Sequence, residues 1–282
     1  MGLQITTLSE NTAGLGNFLG EWGLSILVET AGLKILFDTG QSISASHNAD
    51  LLGIELGRIN RIVLSHGHYD HTGGLRNILH RIKGLHQMRK EIEIIAHPDI
   101  WQAKYAAGQD EARYIGIPFH RQTLESLGAR FNLTKKPVRI NDNIITSGEI
   151  PMVTDYEEIE PSLVVKEGKR FKPDKLLDDQ ALIITTKAGL VVILGCAHRG
   201  IINTLYHARK LTGVKTIYMV LGGCHLIAAT EERIWLTIAA LKELGVQRLG
   251  VSHCTGPVAS AIMAQEFGDR FFSNNAGTRI KG

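Results

Sequence analysis

Residues 66–71 read His-Gly-His-Tyr-Asp-His and follow directly on the apolar run Ile62-Val63-Leu64. Four groups able to ligate a metal therefore crowd the loop at the end of a strand, and Gly73-Gly74 turns the chain out of it. Imidazole suits zinc, iron and other borderline metals, and a carboxylate beside it serves a second ion. His66 and His68 lie two apart, so extended backbone aims both the same way. Asp70 and His71 are adjacent and serve different directions. The spacing points to two ions side by side, with His66, His68, Asp70 and His71 as ligands, rather than to a bare surface cluster of histidines.

A two-ion site needs more ligands, each set in place by a strand. Three histidines qualify. His198 follows the apolar residues 190–194 through Gly195-Cys196-Ala197. His225 follows 216–221 through Gly222-Gly223-Cys224, and His253 follows 248–252 directly. His198 and His253 are the stronger metal candidates; His225 reads rather as a catalytic or substrate-contacting residue. Asp38, closing a strand before Thr39-Gly40, has the place of a turn-capping carboxylate. His97 follows a strand too, but Pro98-Asp99 after it marks a helix start. His47, His80, His86, His120 and His207 lack such a context and read as surface or packing residues. Thr255-Gly256-Pro257 precedes a helix, whose free N–H groups favour an anion, so Thr255 and Gly256 are candidate substrate contacts.

The elements that must position these residues alternate in type. Residues 24–29 and 34–38 read as strands joined by an Ala31-Gly32 turn, 48–56 as a short helix, 61–64 as a strand, 75–81 as a helix and 91–96 as a strand. From about 98 to 173 the pattern loses regularity. That stretch holds six of the seven prolines and many of the aromatics, and reads as long loops and short elements forming a lid or substrate wall. The last third returns to a rhythm: a hairpin of 182–186 and 190–194, a helix over 201–211, a strand at 216–221, an amphipathic helix over 231–244, a strand at 248–252 and a helix over 258–267. Two strand-rich parts with helices between them fit an α/β protein of the αββα sandwich type, one domain over 1–282 with 98–173 laid over it.

Composition agrees with a compact globular enzyme: 44% apolar, 21% charged and a net charge of +3. No basic stripe interleaved with aromatics suggests nucleic acid, and Arg81, Lys83, Arg89 and Lys90 read as a solvated face. Cys196, Cys224 and Cys254 are too few and too scattered for a disulfide scaffold or an iron–sulfur cluster, yet each lies within two residues of a histidine. The first residues lack a basic segment followed by a long apolar one, and no run is long enough to span a membrane, so a cytoplasmic location is expected.

The run His66 to Leu75, then Asp178-Asp179-Gln180-Ala181-Leu182, Gly195-Cys196-Ala197-His198, Gly222-Gly223-Cys224-His225-Leu226 and His253-Cys254-Thr255-Gly256, in this order, resembles the metallo-β-lactamase superfamily. Within it, the chain looks like the branch of dihydropterin-methyl ribofuranosylaminobenzene-phosphate synthase and related metal-dependent hydrolases. The resemblance covers Asp38 to about Gly268. It implies the metallo-β-lactamase fold, His253 as the last histidine ligand, and Asp38 as a support for the metal loop. It also implies a bridging aspartate after a strand and glycine, where this chain has Gly195-Cys196. Asp179 is the best replacement carboxylate, ahead of its neighbour Asp178, and Cys196 stands as the alternative bridge.

The resulting expectation is a metal-dependent enzyme with one or two ions, zinc first, with iron or manganese suited to the same donors. Its metal ligands are His66, His68, Asp70, His71, Asp179, His198 and His253. Asp70 and His225 carry catalysis, and His225, Thr255 and Gly256 contact a small anionic substrate. Such ions lower the pKa of water to roughly 7 in favourable zinc sites, which suits hydrolysis of an ester, phosphoester or lactone. If the resemblance extends to reaction, they bind a diphosphate leaving group during pterin-methyl transfer. A non-catalytic metal-binding protein, a di-iron redox protein and a nuclease of the RNase Z type are the rival readings; the number of ligands and the missing basic patch speak against the first and the last. No partner macromolecule or membrane is implied, and the oligomeric state is left open.

Overall fold

The computed structural model describes residues 2–14, 16–30, 32–85, 91–108 and 111–281. Ala31 of the expected turn, and His86, Arg89 and Lys90, lie outside the described residues. In chain order the strands are β1 (Gln4–Ser9), β2 (Ser25–Thr30), β3 (Leu33–Phe37), β4 (Arg61–Val63), β5 (Ile92–Ala96), β6 (Lys104–Ala107), β7 (Ala112–Tyr114) and β8 (Ala129–Leu133). They continue with β9 (Ile144–Thr146), β10 (Leu163–Glu167), β11 (Arg170–Pro173), β12 (Leu182–Thr186), β13 (Gly189–Leu194), β14 (Ile217–Gly223), β15 (Arg248–Ser252) and β16 (Arg279–Lys281). The α-helices are α1 (Ser44–Leu51), α2 (Tyr69–Thr72), α3 (Leu75–Leu85), α4 (Arg121–Ser126), α5 (Ile201–Thr212), α6 (Glu231–Glu243) and α7 (Pro257–Phe267).

Two compact units divide the chain, Met1–Leu133 with Ser162–Asp174 and Asn275–Gly282, and Thr134–Pro161 with Lys175–Asn274. The first holds a seven-stranded sheet in the order β16-β1-β2-β3-β4-β5-β8. Its β1, β2, β3 and β16 pair antiparallel, while β3, β4, β5 and β8 run parallel. Parallel neighbours bring their carboxyl ends to one edge, where loops can carry a site. On α3, Leu75, Ile78, Leu79 and Ile82 recur at the i, i+3, i+4, i+7 spacing of one helix face, and all four pack with Leu36, Ile62 and Ile94 of the strands. A second, antiparallel sheet, β11-β10-β6-β7, completes this unit. Lys104 on β6 is fully buried and is matched by Asp174 at 2.7 Å, as a buried charge requires.

The second unit is built on a five-stranded sheet, β15-β14-β13-β12-β9. The hairpin β12–β13 forms as expected, and β13, β14 and β15 are parallel neighbours. The nearly unbroken apolar run Leu190–Ile193 has the composition of a strand buried on both faces. Helix α6 buries Ile234, Thr237, Ile238 and Leu241 against that core, and Thr230 caps it by accepting from the Arg233 N–H. Helix α5 has no capping side chain of its own. Instead Glu157 reaches in from a distant loop and accepts from the N–H groups of Ile202 and Asn203, each at 2.8 Å.

One sequence expectation shifts, and two strands go beyond the sequence reading. The helix expected over 48–56 runs Ser44–Leu51 instead, because Asn48 is drawn inside to bond the Leu8 and Leu19 carbonyls and Gly53 turns left-handed at φ 66°. Strands β1 and β16, which lack strong alternation, have no counterpart in the sequence reading; each is fixed by pairing with a partner far along the chain, β2 for one and β1 for the other. The stretch 98–173 holds short elements among its loops, the strands β6 to β11 with α4, and these strands are spread over all three sheets. Arg81 and Lys83 are exposed as expected, Arg81 pairing with Asp50. Among the described residues, no helix is long and apolar enough to cross a membrane.

Candidate metal centre

In the first unit, β3 and β4 are parallel neighbours, so Asp38 after one and Ser65-His66 after the other emerge side by side. Asp38 sits in the left-handed region at φ 59° and is fully buried. Its Oδ1 accepts from the Ser65 N–H at 2.7 Å, and its Oδ2 accepts from the Ser65 hydroxyl at 2.7 Å and from His71 Nδ1 at 2.7 Å. A carboxylate accepts only, so the proton on His71 lies at Nδ1 and Nε2 keeps its lone pair. The Ser65 hydroxyl spends its proton on Asp38 and so accepts from His66 Nδ1 at 2.9 Å, which leaves a lone pair on His66 Nε2 as well.

Those lone pairs converge with further donors. His66 Nε2 lies 2.9 Å from His68 Nδ1, and His71 Nε2 lies 3.9 Å from Asp70 Oδ2. The His66 ring is 4.5 Å from that of His68 and 4.2 Å from that of His71, centroid to centroid. Imidazole nitrogens this close share a proton or face a common cation. All four predicted ligands of this loop are buried. Buried imidazoles with oriented lone pairs beside a carboxylate fit a borderline divalent ion, and Asp38 and Ser65 do the orienting. The close fit extends to the backbone. A Cβ on Gly74 would meet the Thr39 carbonyl at 2.0 Å, and one on Gly73 the Gln41 carbonyl at 2.0 Å. The loop also touches the four-stranded sheet: the Tyr69 N–H donates to the Ile115 carbonyl at 2.9 Å, and the Arg113 guanidinium lies 5.8 Å from the Tyr69 ring centroid.

In the second unit, the parallel strands β13, β14 and β15 end side by side, and the loops after them carry His198, His225 and His253. Ala197, His225 and His253 all adopt positive φ, at 49°, 48° and 55°. Non-glycine residues there cost on the order of 1–3 kcal/mol each, a strain that persists where surrounding contacts hold a site in shape. The rings of His198 and His225 lie 4.1 Å apart, centroid to centroid, tilted by 51°. Glu160 Oε2 lies 3.1 Å from His225 Nε2, and the His225 N–H points at Cys254 Sγ at 3.3 Å. Burial would lower the His225 pKa, but Cys254 and Glu160 outweigh it and push it up to about 10. Burial would likewise raise the Cys254 thiol; its contacts with Cys196 and His225 and the charge of His253 instead hold it well below the usual thiol range.

Asp179 is buried beside Asp178, and its Oδ2 accepts from the Arg199 N–H at 2.8 Å. Burial is the main force that drives its carboxyl up to about 7, with the charge of Asp178 adding to it and Arg199 opposing. Thr255 is fully buried. Its hydroxyl donates to the Ser252 carbonyl and accepts from the Cys224 N–H, so a ligand at the start of α7 would meet backbone rather than this hydroxyl. Gly256 caps α7 at φ 77°, and Pro257 takes the first helical position as read from the sequence. His97 is spent on capping, accepting from the Asp99 N–H at 3.0 Å. Ser65 and Glu160 escape sequence reading. Ser65 carried a weak signal, a small polar residue between strand and ligand, whereas Glu160 lies 65 positions from the histidine it holds.

With this geometry in view, comparison with known proteins is consistent throughout. Residues 23–198 match the metallo-β-lactamase superfamily model. The chain is 39% identical, over 99% of its length and 96% of the relative's, to 7,8-dihydropterin-6-methyl-4-(β-D-ribofuranosyl)-aminobenzene-5′-phosphate synthase of Methanocaldococcus jannaschii. A crystal structure described as a metal-dependent hydrolase of the β-lactamase superfamily superposes with a TM-score of 0.83, at 29% identity and 99% coverage of both chains. A metallo-β-lactamase fold protein from Bacillus subtilis shares the fold at a TM-score of 0.62 and 14% identity. The α/β fold expected from the sequence is thereby borne out, and the chain belongs to the metallo-β-lactamase superfamily.

Proposed function

We propose that this chain is a metal-dependent enzyme that transfers a dihydropterin-methyl group from a diphosphate ester to a phosphorylated ribofuranosyl-aminobenzene, with diphosphate as leaving group. The observation that carries the reading is the 39% identity, sustained over 99% of the chain, to a synthase named for that coupled product. The buried donors ordered by Asp38 and Ser65 support its dependence on metal. His66, His68, Asp70, His71, Asp179, His198 and His253 are the proposed ligands of one or two ions, with zinc, iron and manganese as the metals to test. Bound there, a divalent ion supplies Lewis-acid charge to the departing phosphoryl oxygens.

The chain's own residues do the rest. Asp38 and Ser65 fix the tautomers of His71 and His66. Asp70 takes the proton released by the attacking group. His225, oriented by Glu160, contacts the anionic substrate. The first turn of α7, following Thr255-Gly256, offers N–H groups to a small anionic substrate. The strands of the 98–173 stretch nearest the metal loop act as a substrate wall: Tyr105 stacks edge-on with Tyr114 and Phe171, at 5.3 and 5.2 Å, and these faces suit planar rings.

A hydrolytic reading has a specific observation in its favour, the description of the similar crystal structure as a hydrolase. One assay separates the two. Metal-loaded protein is given the pterin-methyl diphosphate and the aminobenzene acceptor, and in parallel a panel of phosphodiesters, lactones and thioesters. Diphosphate release that requires the acceptor, with coupled product by mass spectrometry and loss of both in His68→Ala, is the expected result. Hydrolysis of a panel member with no coupling would replace transfer by hydrolysis. No turnover by protein shown to hold metal would remove both.

A further inference from the structure

Strands β13, β14 and β15 bring two sulfurs and an imidazole together at their carboxyl ends. The donor atoms of Cys196, His225 and Cys254 all lie within 4.8 Å of one another, and both cysteines are buried. We propose that these three residues form a site for a soft or borderline cation, of the zinc or cadmium class, bound through two thiolates and one imidazole nitrogen.

Four features of the second unit support it. Glu160 occupies His225 Nε2, which orients the ring, while the buried Nδ1 has no hydrogen-bond partner. A carboxylate on one ring nitrogen with the other left to a metal is the usual arrangement of a ligating histidine. The His225 N–H donates to Cys254 Sγ at 3.3 Å, a contact that stabilises charge on sulfur. The space for that sulfur is made by Gly223, where a Cβ would stand 2.6 Å from Cys254 Sγ and 2.5 Å from the Gly195 carbonyl. His225 is held at φ 48°, a conformation that its own side chain disfavours and that sets the ring beside the cysteines.

Two sulfurs and a nitrogen select a different class of ion from the histidine–aspartate set of the 66–71 loop. Thiolate favours zinc, cadmium or copper(I), whereas carboxylate-rich sites accept manganese and magnesium. Three protein ligands leave a fourth position open. Binding converts both thiols to thiolates and releases their two protons to solvent.

The test uses full-length protein, reduced and stripped with a chelator, then titrated with cadmium and separately with manganese. Sulfur-to-metal charge transfer gives an ultraviolet band that histidine and carboxylate ligands cannot produce. The band should appear with cadmium, be absent with manganese, persist in His68→Ala, and vanish in both Cys196→Ser and Cys254→Ser. In the unaltered protein, where folding of a variant is not at issue, bound cadmium should suppress alkylation of Cys196 and Cys254. Absence of the band, its survival in Cys254→Ser, its loss in His68→Ala, or alkylation indifferent to cadmium would each overturn the site. Pterin-methyl transfer persisting alongside such a failure would leave the proposed function standing.

Discussion

Asp38 Oδ2 and His71 Nδ1 lie 2.7 Å apart with no solvent access to either side chain. The contact joins the end of β3 to the loop after β4, and it exists because Asp38 adopts φ 59° and turns its carboxylate back toward the Ser65 N–H. A backbone conformation that costs energy is thus coupled to the choice of tautomer on a candidate ligand. The strain and the orientation are one device, distributed over residues that are far apart in sequence.

Asp38→Asn should therefore lower metal affinity by about 10–100-fold while leaving the fold intact. Asparagine tolerates the left-handed backbone, so the variant isolates the loss of the acceptor from loss of the turn. Competition against a chromogenic chelator measures the change. Unaltered affinity would mean that His71 is oriented by something other than Asp38.

Gly74→Ala should destabilise the first unit. The added carbon would meet the Thr39 carbonyl at 2.0 Å, and backbone on both sides leaves no flexible side chain to yield. Overpacking of this kind costs about 1–3 kcal/mol. Thermal unfolding of the metal-free protein should show a lowered midpoint; an unchanged midpoint would mean that the 73–74 turn relaxes freely.

Much of this was legible beforehand where local chemistry determines the outcome. The His66–His71 loop, the β12–β13 hairpin, the helix α3 and the amphipathic face of α6 all follow from local pattern. So did three histidines after three strands, which prove to be parallel neighbours. What stayed hidden depends on distant partners. Glu160 carries no local mark of its role at His225, and Glu157 caps α5 from more than forty residues away. Strands β1 and β16 gain their identity from pairing, β1 with β2 and β16 with β1. Cys254 could be read as near a site, but its contact with His225 depends on how β14 and β15 align.

Glu157 yields a prediction with a definite sign. Burial raises its pKa above the ordinary 4.5 of a glutamate, although the Ile202 and Asn203 N–H groups oppose that shift. The folded protein therefore binds this proton more tightly than the unfolded chain. Its contribution to stability is greatest below pH 4.5 and falls as pH rises from there through the folded value. Glu157→Gln has no such proton, so the stability advantage of the unaltered protein over the variant should shrink as pH rises above 4.5. Urea unfolding of both proteins over that range supplies the comparison. A difference that grows with pH would show that the two N–H contacts outweigh burial.

Asp179 and Cys196 compete for the role of ligand between two ions, and the carboxylate is the one we propose. Asp179 is buried and held by the Arg199 N–H at 2.8 Å, and Arg199 is itself anchored to the Ile150 carbonyl at 2.6 Å. With its pKa raised to about 7, mainly by burial, much of it holds a proton near neutrality in the metal-free chain, and a cation would displace that proton. Cys196 also lies with His225 and Cys254 in a sulfur-rich group that suits a softer ion. Asp179→Asn should therefore lower the manganese or zinc held by the histidine–aspartate set, leaving the cadmium–sulfur band in place. Cys196→Ser should do the reverse. Metal content and the ultraviolet band, measured side by side on the two variants, decide the matter. Loss of manganese in Cys196→Ser with none in Asp179→Asn would assign the bridge to sulfur, and negligible loss in both would place the bridging group elsewhere in the chain.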